Sequence, residues 1–270
     1  NAFLVWALVA IVTANATVGF WVALLFVVHP IHAEAVSNVS GRAIILSASF
    51  VLLAAITFIK SQERNNKILL GVSVISFLLG LLCKESAGVL PMVLLAYLGF
   101  KKKSVIALWP FVVIIVGYIL WRHHLGIVET FPWRGIGECF LGFTTFLRSL
   151  ITDLRLLLLP VGLYFDRSQR LFGSFSDSEL IGTLCIWSAI ILWIAFRRHQ
   201  LSRLSWFLIA WIILELLPVS QIITTIGVSP GRISSADHFL YLVSVPIFIV
   251  IVQGLRSVYT MNNYKNSLSP

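Results

Sequence analysis

Charged side chains are scarce in this sequence. They make up 11% of its 270 residues, while 59% are hydrophobic; an ordinary soluble domain carries about 25% charged residues. With a mean hydropathy of +0.95, there is too little polar surface to coat a water-soluble body. A bilayer must therefore solvate most of the chain. Acids are scarcer still, 11 against 20 Lys and Arg, giving a formal charge of +9. In a soluble chain that excess would suggest nucleic acid as a partner. In an apolar one it marks the cytoplasmic ends of helices, and no nucleic acid is expected. Cysteine is also rare. Cys83, Cys139 and Cys185 are far apart and odd in number, which excludes a disulfide framework or a zinc knuckle and leaves them as small apolar fillers. Short repeats, low-complexity segments and a signal-peptide pattern are missing. So is the pair of related halves with broken helices that marks many transporters.

What the chain does have is a series of apolar runs, at about 2–14, 18–29, 42–59, 68–83, 87–100, 105–121, 180–196, 204–217 and 239–255. Short charged clusters separate them. The expected fold is all-α, a polytopic integral membrane protein of about nine transmembrane helices. The number falls to eight if the first two runs form one long helix through Asn15. Residues 1–256 read as a single transmembrane domain and 257–270 as a polar cytoplasmic tail, loose over Asn262–Pro270. Between two spans, residues 122–179 form a long outer connection. Within it Phe140–Leu159 is apolar, with Arg148, Asp153 and Arg155 spaced along it. That pattern fits a helix lying in the membrane interface, stopped by Pro160.

Charge sets the expected orientation. The connections 60–67, 101–103 and 197–203, with the tail from Arg256, hold eleven Lys and Arg and one acid, Glu63. The opposite side holds nine Lys and Arg but also nine of the acids. The basic side is cytoplasmic by the positive-inside rule, and with it the C-terminus. The protein is then expected in a bacterial inner membrane, or in the endoplasmic reticulum membrane of a eukaryote. Nine spans would start Asn1 outside, so a further span before it is expected.

Polar residues gather at the outer ends of the spans in three clusters. The first is His29, His32 and Glu34, followed by Ser37, Asn38, Ser40, Gly41 and Arg42. The second is Lys84-Glu85-Ser86, and the third runs from Arg232 to Asp237-His238. Ionisable groups at this depth are costly unless they pair or face a wet cavity. Three clusters opening on one face suggest a cavity for a polar or phosphorylated ligand. Each also has a plainer reading. His29 and His32 with Glu34 are a weak metal pattern, lacking a further ligand. Lys84 and Glu85 could pair within a turn, Asp237 could cap the last helix, and Glu215 could be a satisfied buried carboxyl. Asn38-Val39-Ser40 and Asn15-Ala16-Thr17 match the N-glycosylation sequon, a frequent chance match.

Four stretches, in order, carry a resemblance: HPIHAEAVSNVSGRA at 29–43, CKESAGVLPMVLLAY at 83–97, LRLLLLPVGLYFDRS at 154–168, and LLPVSQII with SSADHFLYL within 216–242. Together they resemble the membrane glycosyltransferases of GT-C architecture, specifically the transmembrane, TPR-containing O-mannosyltransferases and their bacterial relatives. The resemblance implies transfer of a sugar, mannose among the candidates, from a polyprenyl-phosphate donor to an acceptor on the outer or luminal face. It implies a carboxylate acting as base on the acceptor hydroxyl and basic groups stabilising the departing phosphate. On this chain the acids would be Glu34, Glu85 and Asp237. The phosphate-binding groups would be His29, His32, Arg42, Lys84, Arg232 and His238. No metal is expected, and no cofactor beyond the lipid-linked donor. The chain also departs from the family pattern. The family's first span and catalytic first outer loop would precede Asn1, Asp237-His238 stands where the family reads Glu-Arg, and no TPR region follows. These departures raise an alternative: a catalytically inactive relative, held stoichiometrically with membrane-protein partners in a larger complex.

Overall fold

A computed structural model of the chain describes residues 1–127, 135–163, 167–222 and 231–268, apart from the side chains of Ser40 and of residues 261–268. Two stretches of the family resemblance are therefore covered only in part: Asp166 and residues 223–230 lie outside the described residues.

Eleven α-helices account for most of the described chain: α1 (Ala2–Thr13), α2 (Ala16–Val28), α3 (Ala33–Ser37), α4 (Arg42–Arg64), α5 (Lys67–Cys83), α6 (Leu90–Lys101), α7 (Trp109–His124), α8 (Ile136–Leu158), α9 (Ser178–Arg197), α10 (Arg203–Leu216) and α11 (Ser244–Leu268). Each of the nine apolar runs forms a helix. Three helical segments are long and apolar enough to cross a membrane unaided: Arg42–Arg64, Ile106–His124 and Ser178–Arg197. A fourth is counted if Ala16–Val28 and Pro30–Ser37, bent by 56°, make one broken span. The protein is thus a helical membrane protein with, among the described residues, three to four candidate spans by length and composition.

Local chemistry explains where the helices start and stop. α1 and α2 are separate rather than one long helix. Ala14 turns left-handed at φ 52°, and the Asn15 side chain caps α2 by accepting from Val18 N–H, the usual role of Asn at this position. Asn66 does the same for α5, accepting from Ile68 and Leu69 N–H. Pro91 and Pro110 sit in the first turns of α6 and α7, where a missing N–H costs nothing. α11 continues into the polar tail as far as Leu268. The fold is all-α, as expected, with one two-residue ladder among the described residues: Gln169–Arg170 (β1) pairs antiparallel with Arg232–Ile233 (β2).

α4 and α5 form a hairpin whose centre is an aromatic cluster. The rings of Phe58 and Phe77 lie 5.6 and 5.2 Å from Phe111, and all three are fully buried. Beyond Phe111, α7 contributes little to this core, and α9 likewise. Val113, Val116 and Leu120 on α7, and Ile191, Leu192 and Phe196 on α9, are exposed, as a lipid-facing surface would be. α8 begins at Ile136, earlier than the sequence suggested, and its buried face carries Thr145, Phe146, Ser149, Leu150, Asp153 and Leu157. This repeat of three and four residues is that of an amphipathic helix. Helix ends gather in two groups. Asn1 Nδ2 donates to the Ile45 carbonyl and the Tyr241 hydroxyl, both at 3.0 Å, while Lys103 Nζ donates to the Gln62 carbonyl at 3.1 Å. Glu215 accepts from Trp211 Nε1 one turn earlier at 3.2 Å, the satisfied-carboxyl reading.

Candidate functional site

The break after α2 builds the first part of the site. Pro30 cannot continue α2, and the chain makes a single 3-10 turn over Pro30–His32 before the short helix α3. The two histidines flanking this break are held by protein. His29 Nδ1 accepts from Ile31 N–H, and Nε2 donates to the Leu157 carbonyl, each at 3.2 Å. The buried His32 donates from Nδ1 to the Phe26 carbonyl at 2.6 Å and meets Ser244 Oγ at 3.1 Å through Nε2. With both ring nitrogens engaged, each histidine fixes the break. Neither is turned to an anion.

Glu34, in the first turn of α3, reaches across to the third cluster. Its Oε1 accepts from His238 Nδ1 at 2.6 Å and its Oε2 from the His238 backbone N–H at 2.8 Å. A carboxylate in this position orients an imidazole and selects its tautomer, leaving Nε2 to accept or deliver a proton. Glu34 and His238 line a cavity of about 290 Å³ together with Asn38, Gly41 and Lys84, walled by Ala35, Ala43 and Ile44. Gly41 is needed there: a Cβ on it would collide with the backbone carbonyl of Ala35.

Lys84 follows the last residue of α5 in an extended conformation, φ −158° and ψ 133°, which separates it from Glu85. Burial lowers the Lys84 pKa from its ordinary value, and the charges of Glu85 and Glu34 work against that shift. Among the described residues its ammonium makes no hydrogen bond or ion pair, so the cavity contains a cation available to an anionic ligand. Glu85 faces elsewhere, paired with Arg122 at the end of α7. Burial alone would raise the Glu85 carboxyl; its own backbone N–H, Arg122 and Lys84 outweigh that and hold it below the ordinary range.

The structure thus brings together Glu34, Lys84 and His238 from three different clusters. It does not bring the other sequence candidates to the same cavity. Arg42 is exposed in the first turn of α4. Arg232 donates from Nε to Ser168 Oγ at 2.7 Å and from Nη2 to the Ser168 carbonyl at 2.9 Å. Asp237 is buried and accepts from Arg167 Nη2 at 2.5 Å. The same Nη2 donates to Asp153 on α8 at 3.1 Å. Burial pushes the Asp153 carboxyl up to about 7; the Asp237 carboxylate adds to this and Arg167 opposes it. Arg167 and Arg122 carried no signal of their own in the sequence, because their partners are 14, 70 and 37 residues away.

Comparison with known proteins finds relatives named as protein O-mannosyl-transferases. Over 243 residues, 84% of the chain, it is 27% identical to a protein O-mannosyl-transferase of Caenorhabditis elegans. The chain spans about a third, 33%, of that relative's length. Shorter stretches are closer: 66 residues at 47% identity to the protein O-mannosyl-transferase TMTC3 of Mus musculus, and 45 residues at 49% to TMTC4 of Homo sapiens. The first of these stretches covers 23% of the chain and 7% of the relative, the second 17% and 6%. No family model matches the chain, and no solved structure does.

Proposed function

We propose that this chain carries the membrane-embedded site of a glycosyltransferase. It would move a sugar, mannose by analogy with the relatives' names, from a polyprenyl-phosphate donor to a hydroxyl acceptor. The observation that carries this reading is the meeting of Lys84, Glu34 and His238 on one cavity. A glycosyl phosphate needs a cation where negative charge develops, and a hydroxyl nucleophile needs a proton acceptor. Lys84 serves the first role and His238, oriented by Glu34, the second. The bond between the sugar's anomeric carbon and the phosphate oxygen breaks, and its electron pair leaves with the phosphate facing Lys84. The acceptor oxygen bonds the same carbon, and its proton passes to His238 Nε2.

The basic connections 60–67 and 101–103 favour an orientation with the cavity at the outer or luminal face and the C-terminus cytoplasmic. A GT-C-like fold belongs to this reading, with the nine apolar runs of the sequence as its helices. The transferase names of the relatives favour this reading over that of an inactive accessory subunit. The test is transfer of radiolabelled mannose from polyprenyl phosphate mannose to serine and threonine peptides, by the protein reconstituted in liposomes. Transfer that disappears in Lys84→Met and His238→Ala supports the reading. Transfer unchanged in both overturns it.

A further inference from the structure

His238 reaches Glu34 from a turn whose approach segment is tied down outside the cavity. His238 sits in a 3-10 turn, Asp237–Leu240, preceded by an extended residue, Ala236. The segment before that turn is tied to the one at 167–171. The Arg167 N–H donates to the Ser235 carbonyl at 2.8 Å, and the Ser235 N–H returns a bond to the Arg167 carbonyl at 3.2 Å. β1 and β2 continue the pairing. The 167–172 segment in turn lies on α8. The Phe172 N–H donates to Thr145 Oγ1 at 3.2 Å, and Arg148 Nη2 donates to the Arg170 carbonyl at 2.8 Å. At the centre, Arg167 Nη2 joins Asp153 of α8 to Asp237, the residue before His238.

Stability alone is a poor account of this clasp. Replacing a buried ion group by apolar residues is often neutral or stabilising. Among the described residues Arg167 also leaves two nitrogens, Nε and Nη1, buried without a partner, which costs free energy. What the clasp does supply is a fixed position for the residue beside it.

We propose that Arg167 is a positioning residue for His238: by holding Asp237 against α8, it sets the turn in which His238 presents its backbone N–H and its imidazole to Glu34. This rests on the reading of the cavity as a transferase site, but its structural half can be measured separately. The experiment uses the intact protein in nanodiscs with ¹⁵N-labelled histidine, the His238 resonances being identified by their loss in His238→Gln. A short Nδ1–H bond to a carboxylate gives a low-field proton signal. It should be present in the wild type and in Arg170→Gln, and lost in Arg167→Met. In the transfer assay Arg167→Met should lower kcat by about 10²-fold, the size of effect expected from misplacing a reacting group. The donor KM should hold, and Arg167→Lys, which keeps the charge, should recover part of kcat. If Arg167→Met does not accumulate, Arg167→Met/Asp153→Asn/Asp237→Asn removes the ion group whole and should lose the same signal. A His238 signal unmoved in either variant overturns the proposal. A signal that is lost, in a protein whose wild type transfers no sugar, leaves the positioning role standing and removes the transferase reading.

Discussion

The Glu34 carboxylate holds His238 twice across 204 residues of sequence, through the imidazole Nδ1 at 2.6 Å and the backbone N–H at 2.8 Å. One residue thus fixes both the place and the tautomer of the other. A glutamine at 34 keeps the size but offers one acceptor oxygen and no charge. Glu34→Gln is therefore expected to lower turnover by about 10²–10⁴-fold, the range for a positioned proton-transfer group. His238→Ala should cost a similar factor. Because the two act as one unit, the double variant should be little worse than either single one. Steady-state transfer rates of the four proteins decide this. Effects that multiply would mean two independent roles and no dyad.

Lys84 and Glu85 are neighbours in sequence but have separate tasks. Lys84 lines the cavity, and Glu85 pairs with Arg122 at the end of α7. Lys84→Met should therefore weaken donor binding by about tenfold or more, since a hydrogen bond to a charged group is worth about 1.5–3 kcal/mol. Lys84→Arg should retain part of it. Glu85→Gln should change donor binding little. Binding of polyprenyl phosphate, followed by quenching of intrinsic tryptophan fluorescence, measures all three. Equal losses in the lysine and glutamate variants would count against Lys84 as the phosphate group.

The helices were legible because each apolar run is bounded by a signal that acts locally. Asn15 and Asn66 cap the helices that follow them, and Pro30 and Pro160 end what precedes them. The cavity was partly legible. Glu34, Lys84 and His238 are polar residues at apolar boundaries, and burial cost singles them out. Which neighbours share their fate was not legible. His29 and His32 look like ligands in sequence, yet carbonyls of Leu157 and Phe26 engage them. Asp237 looks like an acid beside a histidine, but its partner Arg167 is 70 residues away. Periodicity reports which face a residue lies on. It carries nothing about which distant side chain meets it there.

Gly41 faces the backbone of α3 so closely that a methyl group has no room. A Cβ there would overlap the Ala35 carbonyl, which cannot swing aside as a flexible side chain would. Gly41→Ala should destabilise the protein by about 1–3 kcal/mol, the usual cost of overpacking, and should lower donor binding by narrowing the cavity. Gly99 near the end of α6 has nothing within 4 Å of a built Cβ. Gly99→Ala should be neutral or stabilising, by up to about 1 kcal/mol. Thermal unfolding of both variants in the same detergent gives the comparison. A Gly41→Ala protein as stable as Gly99→Ala would mean that α3 shifts freely, and the cavity with it.

Asp153 gives the fold a pH dependence opposite to that of most paired carboxylates. Its ordinary value is 3.8, and in the folded protein burial pushes it up to about 7. Between those values the folded state holds a proton that the unfolded chain has released. By linkage, stability must then fall as pH rises. The contribution is complete below pH 3.8 and is lost as pH passes through about 7. Asn resembles the protonated carboxyl in shape and cannot ionise. Asp153→Asn should therefore leave stability at the acid end nearly unchanged and flatten the decline toward neutral pH. Melting temperatures of wild type and variant, taken at intervals across that window, test the sign directly. A wild type that gains stability with pH relative to Asp153→Asn would show Asp153 to be ionised throughout, with Arg167 holding two carboxylate charges at once.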